Sequence, residues 1–249
     1  MDKEELRNKA IEDTKEDLKE AADRDQYLIK AVKFLEQLER DIGPDMERLR
    51  DWYGIHFPEL EEEIGSDEEL IEILKRGVHR DELDAFESLA EDSTGAPLVD
   101  EDFEILKKSV ENVQDRYDLK QDIEEYVEEG AKEEMKNLSK LLGPVLATKL
   151  VALQGSLEDL AKQPASTIQM LGAEKALFRY LHGEGTPPKH GILFEHEFVN
   201  SLPDDKRGKM ARFIANKAAM AARLDQYGDK DKGKDLHNEI EEKYRELKE

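Results

Sequence analysis

The chain has 249 residues, no cysteine and a formal net charge of -23, with 38% hydrophobic and 40% charged residues. Without cysteine, disulfide frameworks, thiolate zinc sites and cysteine nucleophiles are excluded, and the fold must stand on packing alone. The N-terminus Met1-Asp-Lys-Glu-Glu is acidic and no run approaches the ~18 apolar residues of a membrane helix, so a cytoplasmic protein without a membrane partner is expected.

Residues 1–24 form a charged, helix-favouring lead-in with a thin apolar set, Leu6, Ala10, Ile11 and Leu18, marginal as an isolated helix. From Leu28 the apolar residues fall at alternating spacings of four and three: Leu28, Val32, Leu35, Ile42, Met46, Leu49, Tyr53, with a break at Glu39. This is a heptad seam. Pro44 removes a helical hydrogen bond, but the seam stays in phase across it, which predicts one kinked helix in place of two. Ser66 or Asp67 caps a short helix, and Ser93-Thr-Gly-Ala-Pro97 is a loop, so the stretch between the seams holds one or two short helices at a hairpin tip.

A second stripe, Phe103, Leu106, Val110, Val113, Tyr117, shifts to Leu119, Ile123, Tyr126. Two seams predict a long antiparallel coiled-coil hairpin over 25–140 in an all-α chain. Their apolar surface exceeds what one hairpin covers, which predicts a homodimer; Leu28, Val32, Leu35, Phe103, Leu106 and Val110 are the expected dimerisation seam.

Residues 141–155, LLGPVLATKLVALQG, are the most apolar stretch and predict a buried helix with Pro144 in its first turn and Gly155 at its end. Short helices follow from Ser156 and Pro164, a loop over Gly183–Gly191, a short extended piece at Ile192-Leu193-Phe194, and a long helix at 204–225. A compact helical domain is therefore expected over 141–227, with a charged helix in the tail 228–249.

Charge is unevenly spread: residues 1–140 carry 21 Lys+Arg against 44 Asp+Glu, and residues 141–227 carry 11 against 9, a net of +2. The acidic part reads as a solvated helical surface or as a repulsive guide that keeps a polyanion on the basic block.

Four segments carry a resemblance, in order: Trp52-Tyr-Gly-Ile-His-Phe-Pro-Glu-Leu60, Gly143-Pro-Val-Leu-Ala-Thr-Lys-Leu150, Gly172-Ala-Glu-Lys-Ala-Leu-Phe-Arg179, and Arg207-Gly-Lys-Met-Ala-Arg212 with Ala221-Ala-Arg-Leu-Asp225. They resemble the archaeal Nop-domain proteins of box C/D ribonucleoproteins over about residues 25–245. The resemblance implies a coiled coil that dimerises the protein. It also implies a C-terminal Nop domain that binds box C/D guide RNA at a kink-turn, together with a kink-turn-binding ribosomal-protein homologue. The assembled particle guides ribose 2′-O-methylation. Position 55 is Ile where the family pattern has a second Trp. Only about 25 residues precede the coiled coil, so fibrillarin recruitment is expected only if the family's N-terminal fibrillarin-binding domain is present.

On the residues themselves, Gly172–Arg179 opens a helix whose N–H groups and dipole suit a phosphate, with Lys175 and Arg179 on one face; an ordinary amphipathic helix with Leu177 and Phe178 inward is the plain alternative. Lys189 follows two stiffening prolines; on the residues alone this is an ordinary surface loop, and the resemblance implies that it faces nucleic acid. Arg207, Lys209 and Arg212 are the RNA-binding candidates on the long helix. The six histidines show no metal spacing, and no P-loop, GxGxxG or GxSxG is present, so no cofactor, metal or catalytic residue is expected. Three readings stand open: a box C/D scaffold, a spliceosomal-type Nop-domain assembly factor, and an acidic coiled-coil interaction protein with no RNA role.

Overall fold

The computed structural model describes residues 24–228 and 230–248, together with 5–9, 11, 14 and 15. Of the lead-in, Ala10 and Leu18 lie outside the described residues, while Leu6 and Ile11 are exposed. Among the described residues every regular element is helical, as the sequence predicts. The chain divides into a hairpin unit, Phe34–Ile123, and a core unit, Met1–Lys33 with Glu124–Glu249.

Two long helices, α1 (Arg24–His56) and α5 (Asp100–Glu134), supply the walls of the hairpin unit. Between them come α2 (Pro58–Glu63), α3 (Asp67–Leu74), two 3-10 turns and α4 (Glu87–Glu91). The helices run antiparallel: Asp45 pairs with Arg116 at 3.0 Å, and Ala96 N donates to Ile55 O at 2.8 Å. Leu38, Ile42, Met46, Leu49 and Tyr53 form one core with Leu106, Val110 and Val113, closed by Phe57, Leu60, Leu70 and Leu74. Each buried leucine contributes roughly 1.5–3 kcal/mol of transfer free energy. The break at Glu39 is filled by Leu38, because an α-helix drifts about 20° per heptad against a strict seven-residue repeat. α1 is a single helix through Pro44.

The expected shift of the second stripe holds only at Ile123, which packs against the hairpin core. Leu119 and Tyr126 are exposed, and the heptad continues on α5 through half-buried Tyr117, Lys120 and Glu124 to buried Val127 and Ala131. Periodicity outweighed residue type there. The six residues expected to meet a second copy are absorbed within the chain. Leu35, Leu106 and Val110 are buried in the hairpin unit, where Phe103 is half-buried. Leu28 and Val32 are buried in the core unit, where a Cβ at Gly130 would stand 2.5 Å from Leu28 Cδ2. Each helix of the pair covers the other's seam, completely except at Phe103.

Polar chemistry fixes the end of the hairpin. Ser66 caps α3, accepting from Glu69 N at 3.2 Å while the Glu69 carboxylate accepts from Gly65 N at 3.0 Å. Arg80 Nη1 donates to His56 O (2.9 Å), Gly95 O (3.0 Å) and Ser93 Oγ (3.2 Å). A Cβ at position 95 would lie 2.0 Å from the His56 carbonyl, so glycine is required for this approach. Glu59 accepts from Ser93 Oγ, Thr94 N and Thr94 Oγ1, and these bonds hold its carboxyl down at about 2. The buried His56 ring donates from Nδ1 to Ala96 O (3.0 Å) and accepts at Nε2 from Arg80 N (3.1 Å), so it is held as the neutral tautomer.

The core unit is built on α6 (Lys136–Leu142), α7 (Pro144–Gln154), α8 (Leu157–Lys162), α9 (Ala165–Met170), α10 (Glu174–Leu181), α11 (Glu197–Asn200), α12 (Asp204–Tyr227) and α13 (Gly233–Lys248). α7 is buried continuously from Leu146 to Ala152, as its apolar sequence predicts, and Gly155 ends it in the left-handed region. The two polar residues of this buried run are satisfied: Thr148 Oγ1 donates to Pro144 O, and Lys149 Nζ lies 3.1 Å from Glu195. On α12, Ala211, Ala215, Ala218, Ala219, Ala221 and Ala222 are buried, and their small side chains let neighbouring helices approach closely. α13 packs into the same unit through Leu236 and Ile240. Ile192-Leu193-Phe194, expected as extended, is instead a 3-10 turn, Gly191–Glu195, because no strand is present among the described residues to form a ladder with it.

One carboxylate ties three of these helices together. Asp225 accepts from Asn137 N (2.8 Å), Leu138 N (2.9 Å) and Asn137 Nδ2 (2.7 Å), capping α6 from the last turn of α12. Asn137 in turn donates to Lys230 O and accepts from Lys232 N, which sets the approach to α13.

Two outcomes follow. Burial lowers the His56 pKa below its ordinary 6.5, so its contribution to stability is fully present above pH 6.5 and is lost as pH falls below it. Hydrogen exchange should therefore show the Arg80 amide losing protection relative to Leu106 between pH 7.5 and 5, and His56→Gln should remove that difference. Asp225→Ala leaves two helix-start amides uncapped and should cost about 2–4 kcal/mol in urea unfolding, with Asp225→Asn intermediate.

Candidate nucleic-acid interface

α10 begins after Gly172, whose φ of +79° turns the chain into it. Gly172 N donates to Glu174 Oε1 at 2.8 Å, so the chain's own carboxylate stands at the helix start expected to face phosphate. The side chains of Lys175 and Arg179 are exposed, and neither has an ion-pair partner among the described residues. The amphipathic expectation is half right. Leu177 is partly buried, but Phe178 is 63% exposed and Leu181 71% exposed, with the Phe178 ring 4.0 Å from the His182 ring and tilted 35° to it. Cations and exposed apolar side chains thus share one short helix, a surface suited to a partner with both polar and apolar parts.

The following loop is tied down at its end. Gln169 Nε2 donates to Lys189 O (2.7 Å) and Gly208 O (3.4 Å), and Ile192 N donates to Leu171 O (2.7 Å). At Gly191, φ +49°, a Cβ would lie 2.2 Å from Leu171 O, so only glycine lets the loop return so close. The His190 ring stacks on Phe194 at 4.8 Å. Together the Gly172 turn, residues 186–191 and Asp204 line an open cavity of about 360 Å³. Lys189 points across it to Asp204, Nζ to Oδ2 2.5 Å, and this pairing holds the Asp204 carboxyl below its ordinary range.

The α12 cations separate into two kinds. Lys209 and Arg212 are exposed and have no ion-pair partner among the described residues. Arg207 is half-buried and committed to its own chain: Nε donates to Leu202 O (2.8 Å), Nη2 to Asn200 O (3.2 Å), and the guanidinium lies 5.3 Å from the Phe194 ring centre. It satisfies carbonyls at the end of α11. Arg223 does the same for α8, donating to Ala161 O and Gln163 O. Of the six residues expected to bind RNA, Lys175, Arg179, Lys209 and Arg212 are thus open, while Lys189 and Arg207 are engaged.

Gln169, Asp204, Asn137 and Asp225 were not singled out from the sequence for these roles. The Leu-Asp pair ending the 221–225 motif is the one local signal, an acidic residue too buried for a solvated face. Among the described residues no group of three His, Asp or Glu is arranged to hold a metal ion, and no helix is long and apolar enough to cross a membrane.

Comparison with known proteins agrees with the resemblance. An uncharacterised NOP5 family protein of Methanocaldococcus jannaschii is 35% identical over 223 residues, covering 84% of this chain and 54% of that protein. Nucleolar protein 56 of Saccharomyces cerevisiae is 32% identical over 224 residues, 82% of this chain and 44% of that protein. A crystal structure of a fibrillarin/Nop5p complex superposes with a TM-score of 0.58 at 30% identity, covering 97% of this chain and 77% of that one. The chain spans about half the length of the curated relatives it matches. The family model described as Nop, snoRNA binding domain, fibrillarin, matches residues 34–246, and the chain belongs to the Nop family.

Proposed function

We propose that the chain is a non-catalytic scaffold of a box C/D ribonucleoprotein, which grips a kink-turn RNA together with a kink-turn-binding protein and so supports guided ribose 2′-O-methylation. The observation that carries this reading is α10, where open Lys175 and Arg179 stand beside exposed Phe178 and Leu181. The cations meet phosphates, and the apolar side chains meet the partner protein or an unpaired base. Lys209 and Arg212 add charge from α12. Fibrillarin, which accompanies Nop5p in the solved complex, would join through a domain preceding the coiled coil, as the family pattern implies.

Four open cations cannot supply a large non-specific term. With four phosphate contacts, log K should fall against log salt with a slope of about -3, and naked RNA should bind weakly. Lys175→Glu or Arg179→Glu should abolish joining of the preformed RNA–protein complex in a gel shift while leaving circular dichroism unchanged. Wild-type assembly by both variants would withdraw α10 as the contact.

A second copy would use the outer face of the hairpin unit. There Trp52, 38% exposed, and Ile105 line a groove of about 470 Å³ edged by Asp45, Arg48, Lys108 and Arg116. An apolar centre rimmed by both charges can pair with itself about a two-fold axis. Light scattering should give a dimer mass for the wild type and a monomer mass for Trp52→Asp; a wild-type monomer at micromolar concentration would remove the dimer.

A further inference from the structure

Lys189 differs from the open cations of this surface in having its ammonium already occupied. Its partner, Asp204, lines the same cavity, and the backbone beneath Lys189 is fixed by the hydrogen bond from Gln169 and by close packing against Gly208, where an added Cβ would lie 3.4 Å from Lys189 Cβ. Asp204 sits in the first turn of α12, a 24-residue helix whose positive end stabilises a carboxylate with or without Lys189 beside it. The pair is therefore two separately supported groups facing each other.

We propose that Asp204 is an autoinhibitory competitor of RNA for Lys189: it occupies the ammonium in the free protein and must give it up before Lys189 can meet a phosphate. This rests on the RNA-binding reading above. The pair is exposed on both sides, 46% for Lys189 and 70% for Asp204, so it is weak and exchangeable. Once exchanged, however, Asp204 remains at the helix start and repels the arriving phosphate. For a straight or flexible RNA the exchange gains one ion pair, loses one and adds repulsion, so Lys189 contributes nothing. A phosphate already held by a preformed bend, and by contacts at Lys175 and Arg179, arrives with its ordering entropy lost and displaces the carboxylate. Asp204 thereby sets a threshold at Lys189: its cost falls on every RNA that engages the ammonium, and only a phosphate already held by other contacts meets it.

The test is fluorescence anisotropy over a potassium chloride series with two ligands: a kink-turn RNA carrying its kink-turn-binding protein, and an uninterrupted RNA duplex of equal length. Asp204→Asn should tighten duplex binding about 2–5-fold, the range of one surface ion pair. It should also steepen the slope of log K against log salt by about 0.7–0.9, one further phosphate contact. Affinity for the kink-turn complex should rise by at least as much, because that complex engages Lys189 and bears the full cost of displacing Asp204. Asp204→Ser, which keeps a polar group at the helix start, should behave likewise, and Asp204→Asn in a Lys189→Met background should have no effect on the duplex. Unchanged duplex affinity and slope in Asp204→Asn, or equal tightening without Lys189, would overturn the proposal while leaving the RNA-binding reading intact. A wild type that binds neither ligand overturns both.

Discussion

The core unit depends on the desolvated carboxylate of Asp225. Burial raises its pKa, against the effect of its three hydrogen bonds to Asn137 and Leu138. Bonds to a charged acceptor contribute roughly 1.5–3 kcal/mol each when the geometry is complete and leave a large penalty when it is not. That asymmetry makes the clamp strict. It sets the end of α12 against the start of α6, and through Asn137 it sets the entry to α13. Because α12 is one continuous helix lined with alanine, fixing its last turn also fixes the direction in which its first turns present Asp204, Lys209 and Arg212.

The helical class, the buried α7 and the seams were legible in the sequence because each rests on a repeating pattern that burial must obey. Leu119 and Tyr126 were misplaced because apolar identity was allowed to override the heptad, which carries Lys120 and Glu124 on the inner side instead. The site was legible as a set of cations but not as a set of available ones. Nothing local distinguishes Arg207, whose donors go to the carbonyls of Leu202 and Asn200, from Arg212, whose side chain faces solvent. The difference is made by α11 folding back five to seven residues earlier in the chain. Arg223 and Asp225 likewise act on residues 60 to 88 positions away.

Charge completes the division of labour. Residues 34–123 hold 28 Asp+Glu and 10 Lys+Arg, a net of -18, so most of the molecule's negative charge lies on the hairpin unit, away in sequence from the cations of α10 and α12. On the proposed function, such a chain is a poor general RNA binder whose affinity comes from a few placed contacts and from a partner surface. Exposed Phe178 and Leu181 beside Lys175 and Arg179 are the structural form of that requirement.

The most direct test of this account is a gel shift of the wild-type chain against one kink-turn RNA, with and without the kink-turn-binding protein, at moderate salt. The account predicts weak retention of the naked RNA and a clear supershift when the protein is already bound. Equal binding in both cases, or none in either, would contradict it.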